Sequence, residues 1–152
     1  MKALHLPLIL FAFLTSLVWA EPTHNIYKTI GDVSLSVDIF TPDNHKASDR
    51  RPAALFFFGG GWSSGSTTQF APHARYLASR GMVGIVADYR VSSRHQTSPF
   101  ECVKDAKSAV RWVRSNAARL GIDPDRIAVS GGSAGGHLAA ATATIESINE
   151  AS

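Results

Sequence analysis

The residues with the clearest chemical potential are a serine set among glycines and a run of three glycines upstream of it. Ser133 lies in residues 131–136 (GGSAGG), which match the pattern G-x-S-x-G. Glycines on both sides permit a turn between a strand and a helix that is too tight for flanking side chains, so the serine hydroxyl is exposed. Such a hydroxyl is a candidate nucleophile for acyl transfer, provided that a base can remove its proton.

Acyl transfer also requires hydrogen-bond donors for the oxygen that becomes negative in the tetrahedral intermediate. One candidate is the backbone N–H of Ala134, directly after the serine. The other donors should come from a loop whose backbone can approach the reacting atoms closely. Residues 59–61 are all glycine and meet this requirement.

Buried strands should position both glycine clusters. Residues 53–58 (AALFFF) are continuously apolar, as expected for a strand covered on both faces, and they lead directly into residues 59–61. Residues 126–130 similarly predict a short strand before the serine, and an alanine-rich helix follows it. Because parallel strands present their carboxyl ends at the same sheet edge, where such folds bind ligands, we expect the two clusters to meet there.

The remaining elements predict an α/β fold. Residues 25–30 and 33–40 predict a hairpin, residues 69–80 a helix and residues 82–87 another buried strand. A further helix begins after Ser98, which forms a capping-box pattern with Glu101. A hairpin followed by alternating strands and helices indicates a mostly parallel sheet with right-handed crossovers.

Composition limits the other classes of function. Residues 1–20 have the charge and apolar run of a signal peptide cleaved near Ala20, which predicts a secreted or periplasmic domain over residues 21–152 without a stable membrane anchor. The scattered charges show no nucleic-acid footprint. Cys102 is the single cysteine, so no internal disulfide can form, and we expect it to be a small apolar residue on a helix. The six histidines lack metal-ligand spacing, so we predict no metal and no cofactor.

Three ordered motifs resemble a known family. Residues 58–62 (FGGGW), residues 88–90 (DYR) and residues 131–136 resemble the hormone-sensitive-lipase-like branch of the α/β-hydrolases, which includes acetyl and xylan esterases. The resemblance covers roughly residues 53–143. It implies that Ser133 is the acylating nucleophile and that Gly60, Gly61 and Ala134 supply the oxyanion-hole N–H groups. The implied reaction is ester hydrolysis through an acyl-enzyme on a small ester, with an acylated sugar as one candidate.

The sequence departs from the family pattern in two places. Phe58 stands where the family usually has a histidine before the glycines, a change that affects the anchoring of the loop more than its backbone donors. The family's catalytic triad runs Ser, then Asp or Glu, then His along the chain, and no such pair follows Ser133 before Ser152. We therefore expect an incomplete α/β-hydrolase fold that is truncated after the helix following Ser133. Alone, it should be poorly soluble and inactive.

Three histidines are candidates to replace the missing base. His137 lies one turn beyond Ser133 on the same helix, so a packing or hydrogen-bonding role is favoured over that of a base. His95, in a polar loop after the Asp-Tyr-Arg strand, either lines the rim of the site or has a structural role. His73 lies on a predicted helix away from the strand ends and has no expected role.

Three other residues near the motifs have ordinary expected roles. Asp88 lies at a strand end, where Arg90 or a backbone amide is its expected partner. Asp105 lies on a predicted helix with no expected role. Trp62 has two possible roles, as part of the wall of a substrate pocket or as a core-packing residue.

Two functions compete with ester hydrolysis. The chain could be a non-catalytic pseudo-hydrolase that folds or binds a partner without hydrolysing anything. Nucleotide binding is disfavoured, because residues 60–67 approach the phosphate-loop pattern but place Ser66 where that pattern requires a lysine.

Overall fold

The computed structural model describes residues 21–148, so the predicted signal peptide lies outside the described residues. The strands are β1 (Thr23–Ile30), β2 (Val33–Phe40), β3 (Arg51–Phe57), β4 (Val83–Ala87) and β5 (Ile122–Gly131). The helices are α1 (Ala71–Ser79), α2 (Ser92–His95), α3 (Pro99–Ser115) and α4 (Ala134–Thr144), with short 3-10 turns at Ala47–Asp49 and Thr67–Gln69. None of the described helices combines the length and apolar character needed to cross a membrane.

The five strands form one sheet in the order β1-β2-β4-β3-β5. Strand β2 pairs antiparallel with both β1 and β4, whereas β3 pairs in parallel with β4 and β5. All strands except β2 therefore point in the same direction. The predicted hairpin and the mostly parallel sheet are both confirmed.

The register of β3 against β5 brings the two glycine clusters together. Phe57, the last residue of β3, pairs with Gly131, the last residue of β5. The chain leaves both strands at the same carboxyl edge, so residues 58–61 and 132–135 begin side by side. Among the described strands β5 pairs only with β3, so it forms one edge of the sheet.

Two apolar layers cover the sheet, and β3 contributes to both of them. Leu55 and Phe57 belong to the larger cluster, in which the sheet packs against α3 and α4. Ala54 and Phe56 belong to a smaller cluster with α1 on the opposite face. The continuous apolar run of β3 is thus explained, because alternate side chains of a strand point to opposite faces and here both faces are buried.

Helix α3 begins as its sequence predicts. The Ser98 hydroxyl accepts a hydrogen bond from the Phe100 amide at 3.3 Å, and the Ser98 amide donates to the Glu101 carboxylate at 3.0 Å. These bonds satisfy amides that the first helical turn leaves without partners. The helix then buries an apolar stripe against the sheet, formed by Cys102, Val103, Ala106, Ala109 and Val113.

Asp105, on the same helix, was wrongly expected to have no role. Its side chain is fully buried and accepts hydrogen bonds from Lys28 Nζ at 2.7 Å and from Arg90 Nε and Nη2, both at 2.8 Å. The Arg90 backbone amide donates to it as well, at 3.0 Å. A buried carboxylate requires such pairing. The cluster joins β1, the segment after β4 and α3 through residues that are distant in sequence.

Loss of the Asp105 charge should strongly destabilise the fold. Asp105→Asn removes the buried negative charge that faces Lys28 and Arg90, so we expect the free energy of unfolding to fall by about 3–5 kcal/mol. Asp43→Asn is the matched control, because Asp43 is exposed, and it should change the value by less than about 0.5 kcal/mol. Urea unfolding of the three proteins measures both values. Equal stability of the two variants would contradict the assigned role of the cluster.

Cys102 should be unreactive in the folded protein. Its side chain is fully buried, its thiol donates to the Arg90 carbonyl at 3.0 Å, and burial raises the pKa of the thiol to about 11. Only about one thiol in a thousand is then ionised at pH 8, and the thiolate is the reactive form. We expect negligible reaction with a disulfide reagent at pH 8 in the native state and one equivalent in urea. Fast native reaction would show that the thiol is accessible.

Candidate active site

Ser133 stands at the turn between β5 and α4 in a strained backbone conformation. Its φ is 51° and its ψ is −118°, values that a residue with a side chain rarely adopts. Such a conformation costs on the order of 1–3 kcal/mol and persists only where the surroundings enforce it. Ser133 is exposed, and its hydroxyl forms no hydrogen bond with any residue of the described range.

The glycines on either side of Ser133 are required by close contact with β3. A Cβ atom on Gly135 would lie 2.1 Å from the carbonyl oxygen of Phe57 and 2.5 Å from that of Phe58. One on Gly131 would lie 2.5 Å from the same Phe57 oxygen. These distances are far below van der Waals contact, so no side chain can replace hydrogen at either position. Close packing against β3 therefore explains why both outer positions of the G-x-S-x-G pattern are glycine.

The upstream glycine loop lies against this turn. A Cβ atom on Gly59 would lie 3.3 Å from the Ser133 Cβ and 2.8 Å from the Gly132 carbonyl oxygen. The Gly59 amide is already used, because it donates to Gln69 Oε1 at 2.6 Å. In contrast, no described residue accepts a hydrogen bond from the amides of Gly60, Gly61 or Ala134. The structure thus brings the predicted donors close to the predicted nucleophile, while their catalytic roles stay predictions.

His137 and Trp62 pack against each other beside Ser133. Their rings meet edge-to-face, with centroids 5.3 Å apart, and the His137 amide donates to the Ser133 carbonyl at 3.0 Å. Trp62 also packs on the main core cluster, although its buried Nε1 has no partner among the described residues. The observed contacts of His137 are those of a packing residue.

The other two candidate histidines, His95 and His73, make contacts away from the Ser133 hydroxyl. His95 Nδ1 accepts a hydrogen bond from the Val91 amide at 3.1 Å, which stabilises the short helix α2. His73 lies against the rings of Phe56 and Phe70, at 6.3 and 5.1 Å between centroids. No histidine side chain within residues 21–148 hydrogen-bonds to the Ser133 hydroxyl. The same residues contain no group of three or more His, Cys, Asp or Glu side chains that could hold a metal ion.

The expected partners of Asp88 are partly corrected. Its carboxylate accepts a hydrogen bond from the Tyr89 amide at 2.9 Å, so the prediction of a backbone amide is confirmed. Its cationic partner is Arg94, at 2.7 and 3.0 Å, and the expected pairing with Arg90 is wrong. Arg90 turns into the core towards Asp105, a choice that depends on the packing of α3 rather than on adjacency in sequence.

Sequence reasoning missed the residues that hold the glycine loop. The Tyr89 hydroxyl donates to the Phe58 carbonyl at 2.7 Å, Gln69 binds the Gly59 amide, and α2 occupies what was expected to be a polar loop. A buried tyrosine needs a partner for its hydroxyl, so Tyr89 in residues 88–90 partly indicated a polar contact at this position. A helix of four residues has no measurable periodicity, so nothing in the sequence indicated α2.

The contact between Gly135 and β3 should tolerate no side chain. In Gly135→Ala the new methyl group meets backbone carbonyls that cannot move away, so we expect a loss of about 3 kcal/mol or more in unfolding free energy. The neighbouring Gly136→Ala is the matched control, since its Cβ would lie 3.2 Å from its nearest atom. The better helix propensity of alanine, about 1 kcal/mol, offsets that mild crowding. Thermal unfolding measures the stability of both variants. Equal melting temperatures would contradict the packing argument.

Several known proteins with similar sequences are esterases. The chain is 41% identical over 99 residues to the carboxylesterase NlhH of Mycobacterium tuberculosis, covering 64% of this chain and 30% of the relative. It is 34% identical over 125 residues to the probable carboxylic ester hydrolase LipM of the same organism, covering 77% and 28%. The chain thus spans less than a third of the length of these relatives.

Solved structures agree with the sequence comparison. The apo form of Thermogutta terrifontis esterase 2 superposes with a TM-score of 0.84 at 52% identity, covering 86% of this chain and 48% of that one. The same esterase phosphorylated by paraoxon also superposes with a TM-score of 0.84, over 86% of this chain and 50% of that one. The fold is therefore part of an α/β-hydrolase fold, as predicted, and spans about half of this solved structure. The BD-FAE family model matches residues 37–151, and the chain belongs to this family.

Proposed function

We propose that this chain provides the nucleophile and the oxyanion donors of a carboxylic ester hydrolase that acts through an acyl-enzyme on Ser133. The observation that carries the proposal is the convergence of the two glycine motifs at one point. A Cβ atom on Gly59 would lie 3.3 Å from the Ser133 Cβ, and the amides of Gly60, Gly61 and Ala134 are unpaired among the described residues. The names of the relatives support the same class of reaction.

The reaction proceeds in two half-reactions. A base takes the Ser133 proton while the oxygen attacks the ester carbonyl carbon, and the carbonyl electrons move onto the oxygen that faces the three amides. Collapse of this intermediate breaks the bond to the alcohol, which leaves with the proton. Water then attacks the acyl-serine by the same route, which releases the acid and regenerates the hydroxyl. No cofactor enters either half-reaction.

The general base is assigned to none of the described residues. His137 is the nearest histidine along the chain, but its ring packs on Trp62 and forms no hydrogen bond with the Ser133 hydroxyl. We therefore assign the base and its carboxylate partner to residues outside 21–148. The described residues thus supply the proposed nucleophile and oxyanion donors, and not the base.

The substrate is a small carboxylic ester, and acylated sugars are the candidate class. An exposed Ser133 at the carboxyl edge of the sheet suits a substrate that arrives from solvent. On the signal-like pattern of residues 1–20 we propose that the reaction takes place outside the cytoplasm, in the periplasm or beyond the cell.

A second candidate function is binding without catalysis. It is favoured by one observation, namely that the Ser133 hydroxyl lacks a hydrogen-bond partner among the described residues. A pseudo-hydrolase would keep the fold and the packing of the turn but would not turn over an ester. The two functions differ in the reactivity of Ser133.

Covalent labelling distinguishes the two functions. Because the Thermogutta esterase is known in a form phosphorylated by paraoxon, we expect paraoxon to add one phosphoryl group to the full-length gene product that contains this sequence. Peptide mass analysis should locate the group on Ser133, and Ser133→Ala should abolish it. Hydrolysis of a short-chain aryl ester should fall in parallel, by up to about six orders of magnitude.

The control variant is His137→Gln, which keeps a polar side chain against Trp62. It should retain both labelling and hydrolysis, because His137 is not the base. Hydrolysis that persists in Ser133→Ala would contradict the acyl-enzyme at this residue. A folded wild-type protein that shows neither labelling nor hydrolysis would favour the non-catalytic function.

A further inference from the structure

The glycine loop needs external support to hold one conformation. Between β3 and the 3-10 turn at Thr67–Gln69, the backbone has positive φ at Gly60 (139°), Gly61 (61°), Trp62 (59°) and Gly65 (113°). Glycine loses more conformational freedom on ordering than any other residue, so such a loop does not order itself. Whatever fixes its ends decides where the Gly60 and Gly61 amides point.

The peptide group between Phe58 and Gly59 is bound at both of its polar atoms. The carbonyl oxygen of Phe58 and the amide of Gly59 belong to one planar peptide unit. The Tyr89 hydroxyl donates to that oxygen at 2.7 Å, and the amide donates to Gln69 Oε1 at 2.6 Å. With both bonds in place the plane cannot rotate, so the direction in which the chain enters Gly59 is fixed, and Gly59 is the one residue between this plane and the peptide that carries the Gly60 amide.

The ring of Tyr89 reinforces this bond from the core side. Tyr89 is fully buried and stacks on Phe58, with centroids 4.1 Å apart and planes 16° from parallel. Gly65 covers Phe58 so closely that a Cβ there would lie 2.5 Å from Phe58 Cδ2. The side chain before the glycines is therefore held between Tyr89 and the far end of the same loop.

The segment that follows Tyr89 holds the middle of the loop. The amides of Ser92 and Ser93, at the start of α2, donate to the carbonyls of Trp62 and Ser63, both at 3.0 Å. Helix α2 is in turn tied down by the Arg94 ion pair with Asp88. The residues after β4 thus contact the loop at two places. The bond from Tyr89 is the one that lies nearest to the Gly60 amide along the chain.

We propose that Tyr89 is a positioning residue for the oxyanion loop, acting by locking the Phe58–Gly59 peptide so that the Gly60 and Gly61 amides face Ser133. The inference rests on the proposed function. Burial raises the pKa of the Tyr89 phenol above its ordinary value, so the hydroxyl remains a donor throughout the working pH range. Without that donor the peptide is held only by Gln69, which is exposed.

The test is Tyr89→Phe, which keeps the stacked ring and removes only the hydroxyl. Tyr27→Phe is the matched control, because the Tyr27 hydroxyl donates to another backbone carbonyl, that of Asp88, at the same 2.7 Å. In the full-length gene product we expect Tyr89→Phe to lower kcat for an aryl ester about tenfold with little change in KM. This effect is smaller than the roughly 10²–10³ lost with an entire oxyanion donor. Tyr27→Phe should leave kcat unchanged. The two variants should lower the melting temperature by similar amounts, because each loses one hydrogen bond to a backbone carbonyl.

A second measurement does not depend on catalysis. Hydrogen exchange across residues 58–65 should be about fivefold faster in Tyr89→Phe, the factor for loss of one ordinary hydrogen bond, and unchanged in Tyr27→Phe. Exchange that is equal in both variants would overturn the anchoring. Faster exchange with an unaltered kcat would overturn the positioning role. If wild-type hydrolysis proves independent of Ser133, the proposed function fails and this positioning role fails with it; the exchange result then shows separately whether Tyr89 anchors the loop.

Discussion

The backbone of the turn around Ser133 packs directly on the carbonyl groups at the end of β3, and the rest of the site depends on this contact. Gly131 and Gly135 leave no room for a methyl group against the Phe57 carbonyl. The approach is possible because β3 and β5 are parallel neighbours that end in register. It holds Ser133 in its strained conformation and at the same time sets the start of the glycine loop beside it.

A chain of polar contacts connects the interior of the protein to this loop. Asp105 holds Arg90 in the core through side-chain and backbone hydrogen bonds. Arg90 fixes the segment after β4, whose preceding residue Tyr89 binds the Phe58 carbonyl. Since buried charges are costly unless paired, the cluster allows this segment essentially one position. A feature of the core thereby restricts the geometry of an exposed loop.

The arrangement separates rigid parts from the reactive part. The sheet, α3 and the buried ions form the support, whereas the Ser133 hydroxyl and the amides of Gly60, Gly61 and Ala134 remain unpaired within the described residues. Donors that are held in place but have no partner are suited to an oxygen that becomes negative during a reaction, because they need little reorganisation. The family match agrees with this division, since the matched residues 37–151 contain both the turn and the loop.

The sequence by itself determined the features that depend on neighbouring residues. The hairpin, the apolar strand β3, the capping box of α3 and the glycines around Ser133 were all predicted correctly, because periodicity, caps and tight turns are local properties. The residues proposed for the site followed from the same local signals. Only the order of the elements was needed to predict that the two glycine clusters would meet at one sheet edge.

Only the tertiary structure decided the contacts between distant residues. Lys28 and Asp105 are 77 positions apart, and Tyr89 and Phe58 are 31 apart, so no pattern along the chain connects them. Arg90 had an acid nearer in sequence, Asp88, but burial against α3 directed it to Asp105, because a fully buried carboxylate needs pairing more than a partly exposed one does. Helix α2 is stable through its bonds to the glycine loop rather than through its own four residues. The sequence thus specified which groups stand at the site, and packing decided how they are held.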